Sequence, residues 1–155
     1  MTRPDFIYAV YIAAPIERVW AALTEGAISR EYWGGRQVES DWQAGSPVRF
    51  KISDGEYDVV RATVLAIDPP RHLAMGWTYD LDPTPPASRV TYALEQASPE
   101  NVKLTVIHEV WQDGSEVDER LKNGWPAILS SLKSYLETGT ALDYTKRWAG
   151  AACER

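Results

Sequence analysis

The chain changes its hydrophobic period once, and that change limits what it can fold into. Through the middle, apolar residues alternate with polar ones. Val48, Phe50 and Ile52 alternate with Arg49 and Lys51, and Val90, Tyr92 and Leu94 alternate with Arg89, Thr91 and Glu95. Leu104, Val106, His108 and Val110 share one face opposite Lys103, Thr105 and Glu109. Period two predicts antiparallel strands with one covered and one wet face. Near the end the period becomes helical: Leu121, Trp125, Ile128, Leu129, Leu132 and Leu136 form one stripe, with Gly139 as a natural stop. A twisted sheet of this size curls, and a helix can bury its stripe only against the concave side. The expected architecture is α+β, a curled antiparallel β-sheet wrapped around a long C-terminal α-helix.

The remaining segments fit that frame. Phe6 to Ile12 reads as a first strand. Pro15 suits a first helical turn, Val19, Trp20 and Leu23 share a face, and Ala27 to Trp33 forms a second short helix stopped by Gly34-Gly35. Two short helices therefore follow the first strand. Val38 to Trp42 is read as a strand ending at Ala44-Gly45, and Asp54-Gly55 as a hairpin turn. Tyr57 to Ile67 is a longer strand closed by Pro69-Pro70, and Leu73, Met75, Trp77 and Tyr79 alternate in the next. A proline-rich loop, Asp82 to Pro86, forms a rim. Pro126 removes one helical hydrogen bond, so the final helix is expected either to kink there or to start near Asn123. Residues 1–139 make one domain and 140–155 a tail, with Tyr144 and Trp148 docking back.

Composition excludes several function classes. A net charge of -6 over 155 residues repels phosphate backbones and anionic membrane surfaces, so no nucleic-acid partner and no membrane insertion are expected. The beginning lacks the apolar core of a signal peptide. The single cysteine, Cys153, can form neither an internal disulfide nor a cysteine metal cluster, which fits a reducing, cytoplasmic compartment. There is no glycine-rich phosphate loop, no His-Glu-x-x-His helix and no Gly-x-Ser-x-Gly elbow. No catalytic residue, metal site or cofactor is expected, and the chain is more simply read as a binder than as an enzyme.

The aromatic residues point to an internal site. The sequence holds 7 Trp and 8 Tyr but only 2 Phe, and Trp and Tyr carry a polar handle that a dry core would not need. Trp42, Trp77, Tyr79 and Tyr92 have inward phase on their strands, and Trp125 heads the final helix. They either pack as core or line a cavity. Trp33, Phe50 and Leu129 complete the expected lining. His108 lies on the covered face beside Val106 and Val110. It is either a core histidine satisfied by one hydrogen bond or a polar anchor inside the cavity. As a lone inward histidine it makes a weak metal ligand.

Several stretches resemble a known superfamily: "YIAAPIERVWAALTE", "YWGG", "DPPRHLAMGW", "SRVTYALEQ", "LTVIHEVW" and "NGWPAILSSLKSYLETG". Together they resemble the START-like, or SRPBCC, superfamily, and within it the bacterial branch related to the activator of the heat-shock protein 90 ATPase. The resemblance spans roughly Tyr8 to Thr138. Its more specific parts are the Ala-Pro-x-x-x-Val-Trp run at Ala14 to Trp20 and the Gly124-Trp125 pair. Pro126 departs from the smooth helix of that pattern. The resemblance implies a helix-grip fold, and superfamily members bind lipids, hormones or polyketides, some catalysing cyclisation. The leading expectation is binding of a small hydrophobic or aromatic molecule between sheet and helix. A cavity enzyme acting as cyclase, dehydratase or hydrolase is the second. A co-chaperone-like interaction module is the third, with a homodimer and a chaperone as its partners.

Overall fold

A computed structural model describes residues 6–79, 88–110 and 115–142. The first described element is β1 (Phe6–Ile12), followed by α1 (Ile16–Thr24) and α2 (Gly26–Tyr32). Six further strands follow: β2 (Gln37–Glu39), β3 (Pro47–Ser53), β4 (Glu56–Asp68), β5 (His72–Tyr79), β6 (Ser88–Ser98) and β7 (Asn101–Val110). The last element among the described residues is α3 (Ser115–Thr138). All neighbouring strands are antiparallel, in the order β1-β7-β6-β5-β4-β3-β2. The sheet curls into a half-barrel, and the two short helices connect its opposite edges. The strand alternation read from the sequence therefore becomes one long ladder with a single inner face.

That inner face holds the core. Val48, Val64, Leu73, Val90, Leu104 and Val106 are all buried, and so are Trp125, Leu129, Leu132 and Leu136 along α3. Burying each such side chain contributes about 1.5–3 kcal/mol. The outer face of β1 is wet: Ile7 and Tyr11 are 61% and 55% exposed. The edge of β1 is tied to α3 at its C-terminal end. Lys133 Nζ donates to the Tyr11 carbonyl at 2.8 Å, and the Ala13 amide donates to Glu137 Oε2 at 2.8 Å. Lys133 also pairs with Glu137, so one ion pair occupies two backbone groups that an edge strand would otherwise leave open.

Two elements differ from expectation. The strand read as Val38 to Trp42 stops at Glu39, because the chain then turns sharply and Trp42 adopts φ 55, a left-handed conformation no strand residue has. Of the two alternatives for the last helix, a start near Asn123 is wrong: α3 begins at Ser115 and runs through Pro126. Its burial-driven packing outweighs the one backbone hydrogen bond that proline removes. After Gly139 the chain folds back on α3, with Ala141 buried and the Leu142 amide donating to Ser131 Oγ at 3.3 Å. The Asp82 to Pro86 rim and the docking of Tyr144 and Trp148 lie outside the described residues, as does Cys153. Among the described residues no helix is long and apolar enough to cross a membrane.

Candidate functional site: an aromatic cluster around Trp125

Trp125 is the hub of the inner face. It sits on α3 where the helical stripe meets the inward residues of β5, β6 and β7. Its ring centroid lies 5.5 Å from Trp77, 5.8 Å from Trp33, 6.0 Å from Tyr92 and 6.2 Å from His108. Phe50 extends the cluster, 5.5 Å from Trp33 and 5.8 Å from Trp77, and Trp77 stands 5.4 Å from His108. These spacings and the tilted or edge-on angles are those aromatic pairs prefer. Period two explains the convergence: Trp77, Tyr92 and His108 all have inward phase, and β5, β6 and β7 are neighbours in the sheet.

Of the nine expected lining residues, six meet in this cluster: Trp33, Phe50, Trp77, Tyr92, His108 and Trp125. Leu129 lies one turn further along α3 and is buried. Tyr79 ends β5, and its side chain lies outside the described residues. Trp42 goes elsewhere. Its indole donates to the Thr24 carbonyl at 2.9 Å, which docks it on the end of α1, and no ring contact joins it to the cluster among the described residues.

The polar groups of the cluster fix one another. Trp125 Nε1 donates to His108 Nδ1 at 3.1 Å, and His108 Nε2 lies 2.8 Å from Ser88 Oγ. An indole N–H only donates, so Nδ1 must be unprotonated. A neutral His108 then carries its proton on Nε2 and donates it to Ser88. Burial pushes the pKa of His108 down from 6.5 to about 4, so the neutral form holds at physiological pH. Burial also raises Tyr92 above the usual phenol range.

This arrangement decides what His108 can do. In a serine nucleophile pair the imidazole takes the hydroxyl proton, which needs a bare Nε2. Here the Trp125 donor forces the opposite tautomer. Ser88 and His108 lie within hydrogen-bond distance, yet they are arranged as donor and acceptor in the wrong sense for hydrolysis. Ser88 was not among the expected site residues. Its signal was present, since Ser88 continues the inward phase of Val90, Tyr92 and Leu94 one step back.

Two buried donors near the inner face have no hydrogen-bond partner among the described residues. One is Trp77 Nε1, within the cluster. The other is Nη1 of Arg36, a residue only 6% exposed. Arg36 follows Gly34 and Gly35, whose φ of 56 and 82 turn the chain sharply after α2. Its Nε donates to Asp58 Oδ2 at 2.6 Å. No cluster of three or more metal-ligating side chains occurs among the described residues.

A curled antiparallel sheet gripping a C-terminal helix, with inward aromatic residues between them, defines a START-like helix-grip domain. The chain belongs to the Activator of Hsp90 ATPase homolog 1-like protein family, whose family model matches residues 13–137. Solved structures agree on the fold. DynU16, a protein of the dynemicin biosynthetic locus, is 25% identical with a TM-score of 0.72, covering 88% of this chain and 48% of that one. The chain thus spans about half the length of DynU16. The Aha1 dimer from Colwellia psychrerythraea is 18% identical, TM-score 0.73, covering 88% of this chain and 98% of that one. An HSP90 activator from Plasmodium falciparum is 21% identical, TM-score 0.71, covering 86% of this chain and 96% of that one. No curated protein sequence matches the chain.

Proposed function

We propose that this protein binds a small, flat, partly apolar molecule against the aromatic cluster of its inner face, in the cytoplasm. The observation that carries the reading is Trp77 Nε1: a buried indole N–H with no acceptor among the described residues, set amid Phe50, His108 and Trp125. A buried donor left unmade costs about 1–3 kcal/mol, and a ligand oxygen would remove that cost. The surrounding rings offer faces and edges to a planar ligand. Ser88 adds a second donor, because its hydroxyl accepts from His108 and keeps its own hydrogen. The family membership and the fold support the same reading. Catalysis is the weaker alternative, since the tautomer of His108 withholds the proton acceptor that acid–base work needs.

The test is a titration with flat aromatic ketones and phenols, followed by tryptophan emission and melting temperature. A binding compound should quench the emission and raise the melting temperature, by the equivalent of about 2.7 kcal/mol at a hundredfold excess over its Kd. Trp77→Phe keeps a ring and removes the N–H, and should weaken binding by roughly five- to fiftyfold. Unchanged affinity in that variant, or no stabilisation by any compound, would contradict the reading.

A protein-interaction role has one specific observation in its favour. Ile7 and Tyr11 stand exposed four residues apart on the outer face of the edge strand β1, and Lys133 of the ion pair that ties β1 to α3 contacts the Tyr11 carbonyl. An apolar patch of this kind suits a chaperone partner or a second copy of the chain.

A further inference from the structure

The Arg36–Asp58 ion pair occupies an odd position. Its side chains are only 8% and 12% exposed, and it uses a single contact, Nε to Oδ2 at 2.6 Å. Buried ion pairs are weak sources of stability, because desolvation offsets their attraction. This one also leaves Nη1 buried without a partner among the described residues. A guanidinium donor in that state is a stronger demand for an acceptor than a neutral amide would be. Stability alone does not account for it.

Its place in the fold connects it to the aromatic cluster. The Arg36 amide donates to the Trp33 carbonyl at 3.0 Å. The Ser29 hydroxyl donates to the Arg36 carbonyl at 2.9 Å, and Ser29 Oγ in turn accepts from the Val38 amide at 2.9 Å. Val38 pairs with Phe50 across β2 and β3. Asp58 lies in a bulge of β4: Lys51 pairs with Tyr57 but Arg49 pairs with Arg61, so residues 58–60 all face the single residue Phe50. Asp58 Oδ1 caps that bulge by accepting from the Val60 amide at 3.1 Å. Bulges of this kind re-aim side chains beside functional sites. Phe50 and Trp33 are themselves members of the cluster. The ion pair therefore borders the cluster at its Phe50 end, while Trp77 stands opposite Ala62 on β4. From Asp58 to Ala62 is four residues, or about 13 Å of strand.

We propose that Arg36 is a second polar anchor for the ligand of this same site, and that the ligand is a neutral, flat molecule with acceptor oxygens at two separated positions. One oxygen takes Trp77 Nε1 and the other takes Arg36 Nη1, with the aromatic rings between them. The oxygen at Arg36 is a carbonyl rather than a carboxylate. Asp58 already balances the guanidinium, so an anionic group would meet that carboxylate across a poorly screened interior. This inference rests on the binding role proposed above and adds to it the number, spacing and charge of the ligand's polar groups.

Three probes separate the outcomes: 2,6-diacetylnaphthalene, 2-acetylnaphthalene and 2,6-naphthalenedicarboxylate. With the wild-type chain, the diketone should bind about tenfold or more tightly than the monoketone, and the dicarboxylate most weakly. Arg36→Met combined with Asp58→Leu replaces the pair by apolar groups and should remain folded. In it the advantage of the diketone should vanish while the monoketone binds as before. Should that double variant fail to fold, Arg36→Lys keeps the ion pair, removes the fork and should lose the same advantage. Equal affinity of the two ketones in the wild type, or an advantage that survives both variants, would overturn the anchor and leave binding at the aromatic cluster standing. Tightest binding of the dicarboxylate would overturn the neutral-ligand assignment. If neither ketone binds at all, the binding role falls with it.

Discussion

His108→Phe should make the protein about 2–4 kcal/mol less stable at pH 7 and nearly as stable as the wild type at pH 4. The first part follows from the bonds lost. Phenylalanine fills similar space but orphans Trp125 Nε1 and Ser88 Oγ, each a buried polar group worth about 1–3 kcal/mol when unpaired. The second part follows from linkage. His108 titrates near 6.5 when unfolded and near 4 when folded, because burial disfavours its charge. Between those values the unfolded chain binds the extra proton, so acidification pulls the equilibrium toward unfolding. The contribution of neutral His108 is complete above pH 6.5 and is lost as pH falls toward 4, a change of about 3 kcal/mol. The variant has no such group, so its own loss over that range should be smaller by that amount. Urea midpoints of both proteins at several pH values measure the difference, in which the carboxylates common to both cancel. Parallel profiles would show that His108 is not held neutral in the fold.

Trp125→Ala should be the most damaging single change in the domain, costing about 3–5 kcal/mol. Trp125 is 3% exposed and touches four rings, so alanine leaves a large void at the centre of the inner face. It also strips His108 Nδ1 of its donor. The melting temperature should fall by roughly 10 °C for a chain of this size. The loss should not add to that of His108→Phe. The two side chains share a hydrogen bond, so the double variant should be better than the sum of the singles by about 0.5–3 kcal/mol. Strict additivity would mean that the Trp125–His108 bond carries no stability.

Much of this was legible in the sequence because two periods carry it. Alternation in β3, β5, β6 and β7 and the stripe on α3 determine which residues face inward, and antiparallel order then brings Trp77, Tyr92, His108 and Trp125 together. The family resemblance pointed to the same architecture, and the family match and solved structures bear it out. What escaped was whatever depended on local geometry. Trp42 was assigned by extrapolating a strand past Glu39, where a left-handed turn breaks the phase. The start of α3 was ambiguous because Pro126 disfavours a helix locally while the packing of the stripe favours it. The Arg36–Asp58 pair was invisible because it joins a glycine turn to a β-bulge, and neither has a period. The tautomer of His108 needed the indole geometry of Trp125, which no sequence pattern encodes.

The most direct test of ligand binding at this cluster is the indole N–H spectrum. Each tryptophan contributes one resonance in a proton–nitrogen correlation, assignable by substituting single tryptophans with phenylalanine. On saturation with 2-acetylnaphthalene, the Trp77 resonance should move downfield as its free N–H gains an acceptor. The Trp42 resonance, already bonded to the Thr24 carbonyl, should stay where it is. A spectrum in which Trp77 does not move at saturating ketone, or in which Trp42 shifts and Trp77 does not, would contradict a binding site at the aromatic cluster.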